Sequence, residues 1–278
     1  MKEKFIYYNN SLLPNCLDVE TISFTKEELD AAFKKHKKAL FFLYTTNYDC
    51  GFDTEWYYII NNRGFDKINV SSKNYKRKKN VINNNVLCRI IDPIIYKEEI
   101  KRVSALAISD YKTYSAEIPS FNVEKWGGIF VGAFTKQSNS LIGFVHIVKN
   151  KNQLSLSYEK TDPNYKKYYP SLALNHFVID KICDFSKGEY LTNGSRTILH
   201  GTNHNDFLIE YCGFEKKYCR LHIIYRKKIR FIIPLIRFLR PLFSLLDFNK
   251  FFHKVNGVLK IDLIFRKQNK LFDGDSDV

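Results

Sequence analysis

The run VLCRIID at 86–92 opens the part of the chain that decides the fold. A helical pattern, EEIKRVSALAISDYKTY (98–114), follows it, and three apolar runs come next: GIFVGAFT (128–135), SLIGFVHIVK (140–149) and LSLSYEK (154–160). A second helical pattern, SLALNHFVIDKICDF (171–185), leads into TILHGTNHNDFLIEYCGF (197–214) and a last strand, YCRLHIIYR (218–226). This order predicts an α+β fold, with a mainly antiparallel central sheet flanked by helices.

The three runs between 128 and 160 alternate apolar and polar residues, and turn residues separate them at 137–139 and 150–152. This pattern predicts a three-strand antiparallel meander. The helix predicted at 171–185 has a broad apolar face and begins after Pro170, where a missing N–H costs nothing. We expect that helix to cover one face of the meander.

The first part of the chain has its own strand and helix patterns. Strands are predicted at ALFFLYT (39–45) and TEWYYIIN (54–61), and a polar helix at KEELDAAFKKHKK (26–38). The segment SSKNYKRKKNVINNN (71–85) carries five bases within seven residues and three asparagines at its end. We interpret it as a boundary or a working loop, since a basic run is also typical of a solvated surface.

Composition limits the class of protein. The chain has 278 residues, 45% of them hydrophobic, which is enough for one large domain or two small ones and excludes a disordered protein. Its six cysteines form no C-x-x-C pair, and the apolar run FIYY at the N-terminus is too short for a signal peptide. We therefore expect free thiols and a cytoplasmic location.

The formal charge of +15 is unevenly distributed along the chain. Residues 215–270 hold 15 Lys and Arg against three acids, so most of the excess lies there and the rest is nearly neutral. The charge alone would also suit a nucleic-acid binder. We favour other partners because the phenylalanines beside these bases fall on an apolar helix face, which is not an arrangement of isolated stacking platforms.

The segment RKKIRFIIPLIRFLRPLFSLL at 226–246 predicts a basic amphipathic helix. Arg237 and Arg240 would lie in mid-bilayer and two prolines interrupt the segment, so a membrane-spanning helix is disfavoured. Two interpretations stay open. The apolar face either lies on an anionic membrane surface or packs on the body of the protein.

The order of elements over 86–226, with Asp162-Pro163 after the third meander strand and Cys212-Gly213-Phe214 before the last strand, resembles the GNAT superfamily of N-acyltransferases. The resemblance covers about half of the chain. It implies a GNAT-like domain at 83–226, an N-terminal α/β extension at 1–82 and a basic helical tail at 227–278. In that family a loop after the fourth strand starts a helix whose N–H groups cradle the pyrophosphate of coenzyme A.

The matching loop here, 162–171, has no glycine. Lys166 stands where the family has a basic residue, Ser171 replaces a small residue, and Tyr169 occupies a glycine position. With Lys167, these residues form the predicted donor site. The departures are similar to the Fem-type and envelope-polysaccharide branch, in which a Ser/Lys/Arg-rich run precedes the domain. The resemblance implies acyl-CoA (acetyl-CoA) as the donor, with aminoacyl-tRNA as the alternative and the one nucleic acid expected.

N-acyl transfer needs a base for the amine and donors that face the oxyanion. Glu159, near the end of a strand, is the predicted base, although a surface ion pair with Lys160 or Lys167 would also explain it. Asn203 matches a family position near the cofactor and would otherwise cap a helix. The family's tyrosine acid would fall on Ile209, and Tyr211 is close by, on another helical face.

Other chemistries have weaker support. The histidines and cysteines match no zinc spacing, so no metal is expected, and no Walker loop or G-x-S-x-G elbow occurs. The sequence predicts a peripheral membrane enzyme that acylates an amine of a cell-envelope glycan, lipid-linked sugar or peptide precursor. Lys73, Arg77 and Lys78 would attract the phosphates of that acceptor. The alternative is a non-catalytic GNAT-fold protein that binds a membrane or a partner.

Overall fold

The computed structural model describes residues 3–110, 122–196, 198, 203–247 and 249–273. Its strands are β1 (Phe5–Tyr8), β2 (Ser11–Pro14), β3 (Phe41–Thr46), β4 (Tyr57–Asn61), β5 (Val86–Ile91), β6 (Ile129–Thr135), β7 (Leu141–Asn150), β8 (Gln153–Thr161), β9 (Tyr190–Ser195), β10 (Glu215–Tyr218) and β11 (Arg220–Tyr225). Its α-helices are α1 (Lys26–Lys35), α2 (Lys73–Asn85), α3 (Lys97–Ser109), α4 (Pro170–Lys181), α5 (His204–Cys212), α6 (Lys227–Phe238), α7 (Arg240–Leu245) and α8 (Lys250–Asp273). The predicted mixed class, with antiparallel-rich sheets flanked by helices, is confirmed.

The chain divides into two compact units. The first consists of Met1–Tyr58, Ser195–Gly201 and Lys216–Val278, and the second of Ile59–Gly194 and Thr202–Glu215. The organisation into 1–82, 83–226 and 227–278 that the sequence suggests stays a prediction.

The first unit is built on a four-stranded sheet in the order β1, β2, β3, β11. Asn9 and Asn10 join β1 to β2 with φ angles of 48° and 65°, a backbone region that asparagine tolerates better than most residues. Successive side chains of β3 point to opposite faces of the sheet. Phe42 packs with Leu29 of α1 and Phe41 with Ile264 of α8, so helices cover both faces.

The segment 226–246, predicted as one amphipathic helix, forms the two helices α6 and α7, and α8 follows them. Leu239 separates α6 from α7, and Pro241 lies in the first turn of α7, where its missing N–H is harmless. Pro234 lies inside α6. The 24-residue α8 packs on the sheet through Ile264, so this part of the chain contributes to the core of the first unit.

The second unit contains the predicted meander, which is confirmed: β6, β7 and β8 pair antiparallel, and β5 pairs antiparallel with β6. β9 then joins β8 in parallel. Ile100 of α3 packs in one cluster with Phe144 of β7. On the other face Gly143 lets Leu174 of α4 approach, because a Cβ added at Gly143 would lie 3.3 Å from Leu174 Cδ1. Helices therefore cover both faces of this sheet.

Two predicted elements differ from the structure. The basic run at 71–85, interpreted as a boundary or a working loop, contains the helix α2. Ser72 caps this helix by accepting a hydrogen bond from the Tyr75 N–H, and the helix buries Tyr75 and Ile82. Residues 197–203, the first part of the run TILHGTNHNDFLIEYCGF, lie mostly outside the described residues, and the strand that follows α4 is β9, which the sequence did not predict. Among the residues described, we found no helix with the length and apolar character needed to span a bilayer.

Candidate functional site

The parallel pairing between β8 and β9 is short. It joins Gln153–Ser155 to Tyr190–Thr192, and β8 continues from there to Thr161 with β7 as its partner strand. The register between β7 and β8 shifts at the same place, since His146 pairs with Tyr158 and Ile147 with Leu156. Ser157 is thus the extra residue of a β-bulge, which bends its strand and leaves a backbone group without a ladder partner. The pairing of β8 with β9 therefore ends next to the point where β8 is bent.

Glu159 lies on the separated half of β8. Its carboxylate accepts hydrogen bonds from the Ser171 hydroxyl and from Asn175 Nδ2, the latter at 2.9 Å. Asn175 is buried and also donates to the backbone carbonyl of Ser171. The predicted base is therefore half-buried and held against the first turns of α4, and it contacts Ser171, one of the residues predicted to bind the donor.

The start of α4 presents backbone N–H groups beside Glu159. Tyr169 at its N-cap makes no side-chain cap, and Pro170 has no N–H, so Ser171 and Leu172 carry the first donors of the helix. Tyr169 has φ 55° and ψ 50°. This is the left-handed conformation that glycine adopts without strain, and the family resemblance implies a glycine here. A tyrosine thus holds a glycine-type turn.

The loop before α4 is anchored by Asp162. This buried carboxylate accepts from the Asn164 N–H at 3.0 Å and from Arg102 Nη1 at 2.9 Å. Lys166 forms an ion pair with Asp110 at 2.6 Å, and the Lys167 ammonium lies 5.3 Å from the Tyr168 ring centroid. Both predicted donor-binding lysines are exposed on this loop, where an ion pair of this kind contributes little to stability.

Helix α2 brings one base of its basic run to the same place. The Lys78 ammonium lies 3.4 Å from the ring centroid of Tyr211, which is on α5, and 5.6 Å from that of Tyr169. Asn74 Nδ2 donates to the Tyr211 hydroxyl at 2.8 Å. Lys78 therefore lies between Tyr211 and Tyr169, the residue at the N-cap of α4.

The remaining predicted site residues are exposed side chains. Lys73 and Arg77 are exposed on α2, and Arg77 Nη2 donates to Asn74 Oδ1 at 3.3 Å. Asn203 is exposed at the N-cap position of α5, where its side chain makes no capping hydrogen bond and its carbonyl accepts from the Phe207 N–H. Its proposed role near a cofactor stays a prediction.

His176 is a buried residue of this region that the sequence did not single out. Burial lowers its pKa to about 4, so the imidazole is neutral. Its Nε2–H donates to the Tyr211 carbonyl at 2.9 Å, and among the described residues Nδ1 has no hydrogen-bond partner. In the sequence, the one feature that could have indicated His176 is its position on the helix predicted at 171–185. The ring supports the end of α5 and thereby positions Tyr211.

Cys212 is not available as a nucleophile. It is fully buried, and burial together with the charge of Glu159 raises the pKa of its thiol well above the ordinary value. A pocket that opens beside the loop is lined by Asn84, Thr135, Tyr165 and Tyr168 among others and has a volume of about 120 Å³. Ligand pockets usually exceed ~300 Å³, so this pocket is too small to enclose a whole ligand.

Comparisons with known proteins give structural matches only. No family model matches the chain. No curated protein matches it. The structure of L-PGS from Bacillus licheniformis shares 13% identity and a TM-score of 0.46, covering 80% of each chain. The C-terminal domain of a protein assigned as a lysylphosphatidylglycerol synthetase in Agrobacterium fabrum shares 9% identity and a TM-score of 0.47, covering 83% of this chain and 82% of that one.

A protein of Enterococcus faecalis assigned as an N-acyltransferase shares 13% identity and a TM-score of 0.34, covering 72% of this chain and 48% of that one.

Proposed function

We propose that the second unit is an acyltransferase that moves an acyl or aminoacyl group to an amine. The acceptor would belong to a cell-envelope glycan, a lipid-linked sugar or a peptide precursor. The observation that carries the proposal is the separation of β8 from β9 at a bulge, with Glu159 and the start of α4 on the open half of β8.

In this proposal the donor's reacting carbonyl lies between β8 and β9, beyond the point where their pairing ends. A backbone N–H freed by the bulge at Ser157 is a suitable donor for the oxyanion that forms there. The phosphates of acyl-CoA, or of the 3′ end of an aminoacyl-tRNA, suit the N–H groups at the start of α4. Lys78, held over the Tyr211 ring, adds a positive charge beside them.

The chemistry requires one proton acceptor. The acceptor amine, as the free base, attacks the carbonyl carbon, and a C–N bond forms while the negative charge moves to the carbonyl oxygen. Glu159 takes the proton that the nitrogen loses, directly or through one water. The C–S bond of a thioester, or the C–O bond of an aminoacyl ester, then breaks. Glu159 gives the proton to the leaving sulfur or oxygen, directly or through the same water, so atoms and charge balance and the carboxylate is restored.

The experiment compares two donors without knowledge of the acceptor. Purified full-length chain is titrated with acetyl-CoA and with an aminoacyl-tRNA by calorimetry, and the Lys78→Ala variant is titrated in parallel. We expect one donor to bind and Lys78→Ala to weaken that binding at least tenfold. If neither donor binds to the folded wild-type chain, the proposal fails and the non-catalytic alternative is preferred.

Once a donor binds, the base is tested by transfer. With an amine panel drawn from the three acceptor classes, we expect Glu159→Gln to lower the transfer rate about 10²-fold to 10⁴-fold while the donor still binds. Glu98→Gln is the matched control, because Glu98 is an exposed carboxylate paired with Lys101 on α3. Equal rates for wild type and Glu159→Gln would remove Glu159 from the chemistry.

A further inference from the structure

Helix α6 of the first unit is oriented with apolar side chains outward. Phe231, Leu235 and Phe238 follow the spacing of one helix face, and the two phenylalanines are 83% and 80% exposed. The inward side carries Ile233, which is buried, and Arg237, which binds the buried carboxylate of Asp262. A charged residue thus faces the protein, while large apolar residues face out.

The apolar surface continues beyond α6. Leu242 and Leu245 of α7 and Phe251 at the start of α8 are also exposed. If a phenylalanine ring offers roughly 200 Å², the three exposed phenylalanines alone present on the order of 450 Å². The largest apolar patch of an ordinary monomer is ~300–600 Å² in total, and here the leucines add to the phenylalanines.

This surface is held in place by contacts within the unit. The rings of Phe243 and Phe252 lie 5.4 Å apart and join α7 to α8. Asn256 Nδ2 donates to the Phe243 carbonyl at 2.9 Å and also to Asp247. Arg237 Nε and Nη2 donate to the two oxygens of Asp262 at 2.9 and 2.7 Å. The outward direction of the phenylalanines follows from these anchors.

Exposed bases accompany the apolar residues. Lys227, Lys228 and Arg230 lie at the start of α6, Arg240 at the start of α7 and Lys254 on α8. From 226 to 254 the sequence has one acid, Asp247, and that residue is engaged by Asn256 and His253. A second copy of the chain would bring like charges together, whereas anionic headgroups would complement them.

We propose that α6, α7 and the start of α8 form a docking surface for an anionic lipid bilayer. The outward apolar residues enter the boundary between headgroups and acyl chains, and the bases contact lipid phosphates. The docking goes beyond the proposed transfer reaction and does not depend on it. It would place the protein at the surface where lipid-linked precursors are found.

The test is vesicle flotation of the full-length chain. Vesicles of phosphatidylglycerol and phosphatidylcholine in equal parts are compared with pure phosphatidylcholine at low and high salt. With about three bases engaged, we expect binding to the anionic vesicles to be roughly 10²-fold to 10³-fold tighter, and salt to weaken it. Absence of binding to the anionic vesicles would overturn the proposal.

Two double variants distinguish binding through this surface from nonspecific adsorption to the vesicles. Phe231→Glu with Phe238→Glu should abolish flotation, whereas Ile94→Glu with Ile95→Glu, which changes two exposed isoleucines of the second unit, should leave it intact. Circular dichroism checks that both variants are folded. Equal loss in both variants would count against the surface.

Light scattering after size exclusion decides between lipid and a second copy. If wild type is a dimer and the Phe231→Glu, Phe238→Glu variant is a monomer, the occupant of the surface is a second copy, and the lipid proposal is overturned. A monomer that floats with anionic vesicles supports it. Glu159→Gln should float like wild type, so failure of transfer and failure of docking are distinguishable.

Discussion

The pH dependence of stability should report the burial of His176. Its pKa falls from 6.5 to about 4 in the folded protein. Between these two values the unfolded chain binds a proton that the folded chain does not, so the free energy of unfolding rises with pH in that window. The difference corresponds to ~3 kcal/mol at ~1.4 kcal/mol per pKa unit. Stability should be lost as the pH falls from 6.5 towards 4.

The assay is urea denaturation of wild type and His176→Gln at several pH values from 7.5 to 4. Other groups titrate in the same range, but they are shared and cancel in the difference between the two curves. Glutamine keeps an N–H donor near the Tyr211 carbonyl and does not titrate. We expect wild type to lose ~3 kcal/mol relative to the variant between pH 6.5 and 4.

The result that would refute this reasoning is a pair of parallel curves. Should His176→Gln fold too poorly to measure, the ring signals of His176 in the wild-type proton NMR spectrum provide a second measurement. A midpoint near 4 supports burial of a neutral imidazole, and a midpoint near 6.5 shows that the ring is solvated.

Three further substitutions test packing and backbone, each by urea denaturation. Tyr169→Val should destabilise the protein by ~1 kcal/mol or more relative to Tyr169→Gly, because a β-branched residue resists the left-handed turn. Gly143→Ala should cost ~1–3 kcal/mol, since the added methyl would lie 3.0 Å from Thr161 Cγ2 and 3.3 Å from Leu174 Cδ1. Asp262→Asn should cost ~2–3 kcal/mol at pH 7 by leaving Arg237 without its buried partner. That loss should shrink in acid: burial alone raises the pKa of Asp262, but hydrogen bonds from Arg237 and Tyr225 outweigh it and lower the pKa, so the stabilisation disappears as the pH falls through this lowered value.

Elements with a strong local pattern could be predicted from the sequence. The meander follows from alternation with clear turns at 137–139 and 150–152, and α1 from the Thr25 and Glu28 capping box before a narrow apolar stripe. In both cases the local preference and the tertiary structure agree, so no long-range information was needed.

Elements with a misleading local pattern were missed. The helix α2 buries only Tyr75 and Ile82 among 13 residues, so its apolar period is too weak to detect. The strand β9 includes Asn193-Gly194, a dipeptide that normally indicates a turn, and Gly194 has a positive φ there. In each case contacts with distant segments decide the conformation.

The candidate site shows the same division. Glu159 and Ser171 belong to adjacent elements, so a strand followed by a helix brings them within reach of each other. The meeting of Lys78 with Tyr211 joins segments 133 residues apart, and no local pattern contains that information. A basic run could be recognised from composition, whereas the one lysine that faces the site could not.

For α6 the sequence identified the apolar face of the helix but not whether that face points to solvent or to the protein. A helical wheel places Phe231 and Phe238 on a different side from Arg237. In an ordinary surface helix the arginine would face solvent and the phenylalanines would face the protein. Asp262 reverses this, because its buried carboxylate accepts hydrogen bonds from both Nε and Nη2 of Arg237, in addition to one from Arg266 Nε at 3.0 Å. These bonds hold Arg237 inward, and the phenylalanines are left outside. An acid 25 residues further along the chain thus exposes the apolar surface, and Asp262→Asn should weaken vesicle binding although Asp262 itself lies too deep to touch a lipid.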